Sequence, residues 1–145
     1  MVILGWGYAE LGQFEKALEY YVKAIRLSPH DPALFNFHEG KSGAYFALKQ
    51  YDQAIESARQ SIAIRPNDNP LAHRDLVAAL ALTGHEAEAR EAFQRYLALP
   101  PAGLRTIAAW NAYKAQTTNE HSDPRLLEYW DRMIEGIRKA GMPET

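Results

Sequence analysis

Cysteine is missing altogether from the 145 residues, so disulfides, thiolate metal sites and cysteine nucleophiles are excluded. β-Branched residues are scarce and no stretch alternates apolar and polar with period two, which leaves little to build a sheet from. Basic residues do not predominate: 16 Lys and Arg stand against 18 Asp and Glu, a formal charge of -2. No broad positive field faces a phosphate backbone or an anionic membrane, so neither nucleic acid nor membrane is an expected partner. No apolar run approaches the ~18 residues of a spanning helix. The opening MVILGWGYAE lacks the basic flank, long apolar core and cleavage site of a signal peptide, and a cytoplasmic location is expected. It also starts inside an apolar helix without a cap, so the chain is expected to be a C-terminal fragment of a longer protein, forming a single domain over 1–145.

What is present is helical spacing, nearly everywhere. Leu4, Tyr8 and Leu11 recur at three and four residues before Gly12 stops a first helix. A second runs from Phe14 to Leu27, with Phe14, Ala17, Leu18, Tyr21, Ala24 and Ile25 on one face, and Pro29 and Pro32 break it. The cycle repeats from Pro32 to Leu48 and from Tyr51 to Ile64, with Pro66 and Pro70 as the stop. It repeats again from Leu71 to Leu82 and, after Gly84, from Ala87 to Leu99, closed by Pro100 and Pro101. Ala17, Ala54 and Ala89 are 37 and 35 residues apart, a period that marks stacked helical hairpins. An alanine where helices cross lets their backbones approach. Leu104, Ile107, Ala108 and Trp110 then mark a seventh helix, and Ser122 or Asp123 caps an eighth that begins at Pro124 and ends at Gly141. The fold class is therefore all-α: a solenoid of about eight antiparallel helices, three repeat-like hairpins over 1–101 and a divergent capping hairpin over 102–145.

The units GYAELGQFEKALEYYVKAIRLSP and SGAYFALKQYDQAIESARQSIAIRPND resemble tetratricopeptide repeats, which implies a right-handed superhelix. In the first unit Leu4, Gly5, Tyr8, Gly12, Phe14, Ala17, Tyr21, Ala24 and Pro29 fall on the positions of that pattern. The second keeps Tyr45, Tyr51, Ala54, Ile64 and Pro66 but has Ser42 for the first-helix glycine and Ser61 for the late alanine. The third keeps Leu76, Gly84, Ala89, Phe93, Leu99 and Pro101. The tail DPRLLEYWDRMIEGIRKAGMPE is similar to the closing segment of the repeat regions of bacterial class III adenylate or guanylate cyclases, and of some winged-helix regulators. Gly136, Arg138, Lys139, Ala140, Gly141 and Pro143 carry that likeness. The cyclase's catalytic residues belong to a separate domain that this sequence does not contain.

The resemblance implies that the first helix of each pair lines a concave groove for a protein or peptide, or for another domain of the same polypeptide. Its groove positions fall on Trp6 and Glu10, on Asn36, Glu39, Gly43 and Phe46, and on Leu71, Arg74 and Asp75, with Trp110 and Asn111 extending the wall. For Trp6, Phe46 and Trp110 packing between helices is the competing role, and for Arg74 an ion pair with Asp75 or Glu39. Glu39 and Gly43 stand where the chaperone-binding subgroup carries its clamp for a terminal carboxylate, so that mode is not expected. Two other roles stay open: homodimerisation through an apolar edge at Val2, Ile3 and Leu4, and a structural spacer.

Catalysis is not expected. His30, His38, His73, His85 and His121 form no close pair and no HExxH arrangement, and His38 and His73 occupy equivalent packing or groove-rim positions. No glycine-rich phosphate loop precedes a lysine, and no serine has a base and orienter in its neighbourhood. No cofactor or metal is expected.

Overall fold

The computed structural model describes residues 2–100 and 104–145, the side chains of Val2 and Ile3 excepted. Those two side chains of the expected apolar edge, and Pro101 at the close of the third unit, lie outside the described part. Eight helices follow one another: α1 Val2–Glu10, α2 Phe14–Leu27, α3 Leu34–Ala47, α4 Tyr51–Ile64, α5 Pro70–Leu82, α6 Glu86–Ala98, α7 Ile107–Thr117 and α8 Pro124–Lys139. No strand occurs among the described residues, and no described helix is long and apolar enough to cross a membrane.

The repeats are visible in the turns. After α1, Gly12 N–H donates to the Ala9 carbonyl and Gln13 N–H to Tyr8; after α3, Lys49 donates to Phe46 and Gln50 to Tyr45; after α5, Gly84 donates to Ala81 and His85 to Leu80. This is one Schellman closure made in each of the three repeats, and again at Gly141 after α8, and it needs a left-handed residue at its corner. Gly12 and Gly84 supply that conformation at φ 73° and 81°, whereas Lys49 is forced into it at φ 61°.

Helices pack on their sequence neighbours from α1 to α6, and the odd-numbered helices α1, α3 and α5 also touch one another, forming the inner layer. Ala17, Ala54 and Ala89 are buried at the seams, as their small volume requires. The two serines that depart from the repeat pattern are hydrogen-bonded across seams: Ser42 Oγ donates to the Ala54 carbonyl at 3.0 Å and Ser61 Oγ to the Phe35 carbonyl at 2.7 Å, while Asn69 donates to Ser61 Oγ at 2.8 Å. Buried hydroxyls with partners cost little.

The last hairpin is divergent, as expected, and its placement comes from the tertiary structure. α8 does not continue the stack beyond α6; it lies against α5 and α3 on the inner layer, and α7 packs on α8. The physical reason is the apolar stripe Leu126, Tyr129, Trp130, Met133, Ile134 and Ile137, all buried, which finds a flat bed on α5. Residues Ala72 to Ala81 of α5 are in turn buried on every face. Arginines fix the placement. Arg132 of α8 donates to the Phe46 and Ala47 carbonyls at 3.0 and 2.8 Å and to the Tyr51 hydroxyl at 2.7 Å, a cation on the negative end of α3. Arg105 likewise donates to the Leu97 and Leu99 carbonyls at the end of α6. The tail closes the arrangement, since the Ile107 and Ala108 N–H groups at the start of α7 donate to the Pro143 and Glu144 carbonyls.

Candidate functional site

Folding α7 and α8 over the inner layer turns an open groove into a cleft of about 1170 Å³. One wall is made by α1, α3 and the start of α5, with Trp6, Glu10, Glu39 and Leu71; the other is the α7–α8 hairpin, with Tyr113 and Trp130. Trp6, Leu71 and Tyr113 expose 45%, 40% and 41% of their surface, apolar area that a partner would remove from water.

The residues expected to line the groove divide into three sets. Trp6, Glu10, Glu39, Leu71 and Arg74 all face the cleft. Phe46 and Asp75 lie instead beneath the closing hairpin, and Trp110 lies within it against α8, all fully or almost fully buried. Phe46 stacks edge-on against Tyr129 of α8 at a centroid distance of 5.8 Å, and Trp110 packs on Trp130 at 6.1 Å. Asn36 is half-buried and Asn111 exposed; neither borders the cleft. Sequence reasoning missed Tyr21, Tyr113, Tyr129 and Trp130 as cleft residues. Their spacing marks apolar helix faces, and nothing local says that α8 meets α3.

Arg74 is the hub of the cleft floor. Its Nε and Nη2 donate to Asp75 Oδ1 at 3.0 and 2.7 Å, and Nη2 also to the Tyr129 hydroxyl at 3.2 Å. The guanidinium carbon lies 5.4 Å from the ring centre of Trp110 and 5.6 Å from that of Trp130, a cation held between two aromatic faces. Arg74 is thus bound to the protein's own hairpin, and the ion pair with Asp75 is the one that forms.

Glu39 is placed differently. It is 7% exposed, borders the cleft and accepts no hydrogen bond from any described residue. Burial, then the nearby Asp75 charge, push its carboxyl up to about 8, with Arg74 opposing. Beside it the Tyr21 hydroxyl is buried and unpartnered. The Tyr21 ring is seated between two glycines: a Cβ on Gly5 would stand 2.6 Å from its Cε1, and one on Gly40 2.7 Å from its Cε2. Asp75 Oδ2 is a third buried oxygen without a partner, because the nearby Ser42 hydroxyl is donating to Ala54.

His121 stands exposed on the border of the cleft, and the other histidines do not line it. His73 is buried with Nε2 2.9 Å from the Pro66 carbonyl, a packing role, and His85 Nδ1 meets Thr83. Among the described residues no group of three or more His, Asp or Glu is arranged to hold a metal ion.

Comparison with known proteins agrees with this geometry. Residues 1–31 and 38–68 each match the tetratricopeptide repeat family. Small glutamine-rich tetratricopeptide repeat-containing protein 2 of Mycosarcoma maydis is 35% identical over 106 residues, 73% of this chain and 29% of that protein. RNA polymerase II-associated protein 3 of Rattus norvegicus is 28% identical over 134 residues, 92% of this chain and 20% of that protein. The chain therefore spans less than a third of the length of either relative. Among solved structures, MamA superposes with a TM-score of 0.64 at 20% identity, covering 95% of this chain and 77% of that one, a likeness of fold. The chain is a tetratricopeptide-type solenoid, the fold of protein-interaction modules.

Proposed function

We propose that this tetratricopeptide-type interaction module receives a segment of a partner protein, or of a sister domain in its own parent, in the cleft between the inner helices and the α7–α8 hairpin. The observation that carries the reading is the cleft itself: about 1170 Å³ of space bordered by exposed Trp6, Leu71 and Tyr113. Its volume and exposed apolar lining suit a peptide in extended or helical form, anchored by apolar side chains. Relatives named for association with RNA polymerase II belong to the same class of protein-binding proteins.

The parent we favour is a longer bacterial regulator of the adenylate or guanylate cyclase type, on the likeness of the tail, and with it a cytoplasmic signalling role. Two of the tail positions that carry the likeness have structural work in this chain: Gly136 against α5, and Pro143, whose carbonyl accepts from the start of α7.

A random peptide library selected on the purified chain tests the cleft. Selected peptides should bind at least tenfold more weakly to Leu71→Glu, inside the cleft, and unchanged to Ile64→Glu, an equally exposed apolar residue that does not border it. Equal loss with both variants, or no selected peptide, would overturn the assignment. Self-association is the second reading, favoured by Leu4 and Leu11 standing exposed at the N-terminal end; a mass that doubles with concentration in light scattering would support it.

A further inference from the structure

We infer that the partner segment carries a basic side chain, arginine or lysine, whose cation enters the floor of the cleft between the Glu39 carboxyl and the Tyr21 hydroxyl, below Gly43. The inference rests on the peptide-binding reading and names the chemistry of its ligand.

Charge on the floor does not balance. Two carboxyls, Glu39 of α3 and Asp75 of α5, share one cation, Arg74. The other groups facing Glu39 are the phenols Tyr21 of α2 and Tyr129 of α8, which bring no positive charge. Arg74 is itself committed to Asp75 Oδ1, to Tyr129 and to two tryptophan faces. Glu39 is left more than nine-tenths buried, without a hydrogen bond, and open to the cleft. A buried carboxyl in that position must keep a proton or meet a second cation.

The rest of the cleft agrees in sign. Its other carboxylates are Glu10 and Asp123, and no lysine and no arginine besides Arg74 borders it. An anionic or phosphorylated segment would meet repulsion and no free cation, whereas a basic one would be drawn in. Room exists for it, because Gly43 presents no side chain. A Cβ there would have only Asp75 Oδ2 at 3.8 Å and the Tyr129 hydroxyl at 4.0 Å as neighbours. An incoming ammonium or guanidinium finds two cleft-lining acceptors that are unpartnered at present, Glu39 and Tyr21 Oη. Charge-assisted bonds to such desolvated acceptors are the strong ones. The apolar stem of a lysine or arginine would lie along Tyr129 and Trp130.

The test is the composition of peptides selected from the random library on the wild-type chain and on Glu39→Gln, with folding of the variant checked by circular dichroism. Wild type should enrich one position for arginine or lysine, and the separate frequencies of the two tell which cation fits. Glu39→Gln should lose that enrichment, and a selected peptide should bind it at least tenfold more weakly, while replacing the basic residue by norleucine should cost the same on wild type and nothing on the variant. Gly43→Lys supplies a cation within the chain and should block the selected peptides without loss of helicity. Peptides enriched without a basic position, or a basic preference that survives in Glu39→Gln, would overturn the inference and leave the peptide cleft standing. Failure to enrich any peptide would overturn both.

Discussion

Gly136 of α8 lies flat on the backbone of Ala78 of α5, so closely that a Cβ on Gly136 would stand 2.8 Å from the Ala78 Cα and carbonyl oxygen. A glycine in mid-helix costs about 1 kcal/mol relative to alanine. Here it permits the approach that turns the groove into a cleft.

Gly136→Ala should therefore destabilise the fold by roughly 1–3 kcal/mol, overpacking outweighing the gain in helix propensity. Urea unfolding gives the number, and limited proteolysis should show cleavage around α7 and α8 before the rest. A more stable variant would mean that α8 does not dock on α5.

Gly40 and Gly43 lie one turn apart on α3 and should respond oppositely to alanine. At Gly40 the new methyl would strike the Tyr21 ring, and a loss of about 2 kcal/mol or more is expected. At Gly43 its nearest neighbours are 3.8 Å away, so the helix gains about 0.5–1 kcal/mol. Thermal midpoints of the two variants check the sign of each.

Glu39 makes stability depend on pH in a stated direction. Its folded pKa, about 8, lies above the ordinary 4.5. The folded state therefore holds the proton more tightly, and the contribution is complete below about 4.5 and lost as pH rises through about 8. Glu39→Gln should flatten the decline in stability between those values, by at most ~1.4 kcal/mol per pH unit, and exceed wild type above it. The slope that remains combines Asp75, also raised by burial, with His38 and His73, which burial lowers and which act in the opposite direction. An unchanged slope in the variant would show that Glu39 is not the group that titrates. For the ligand the sign reverses: a cationic peptide competes with the proton and should bind more tightly at pH 9 than at pH 6.

Lys49 holds at φ 61° the corner that Gly12 and Gly84 occupy in the other two turns. Lys49→Gly should stabilise the protein by about 0.5–1 kcal/mol, since glycine takes that conformation without a Cβ penalty. The ion pair it removes, with Glu128, is exposed on both sides and contributes little. Denaturant midpoints against Lys49→Ala, which keeps the penalty, isolate the backbone effect.

Legibility followed the range of the interactions. The buried alanines Ala17, Ala54 and Ala89, and the turn glycines, could be read because each reflects contacts within one hairpin or between neighbours. Ser42 and Ser61 were visible as departures from the repeat, but their acceptors, Ala54 and Phe35, were not. The roles of Arg132 and Arg105 left no signal, since an arginine that caps a distant helix looks like one on a solvated face. Tyr21 was read as core, and the unpartnered hydroxyl at its far end was invisible.

The sequence alone determined the all-α class and the repeated hairpins, because helical period and turn chemistry are local; Trp6, Glu10, Glu39, Leu71 and Arg74 came as groove positions only through the likeness to the repeat family. Only the tertiary structure decided that α8 folds back over α3 and α5. That choice covers Phe46 and Asp75 and joins Arg74 to Trp110 and Trp130 of the closing hairpin. It rests on the close approach of Gly136 to Ala78 and the grip of Arg132 on the end of α3. Both are contacts between residues more than fifty positions apart, which no periodicity encodes.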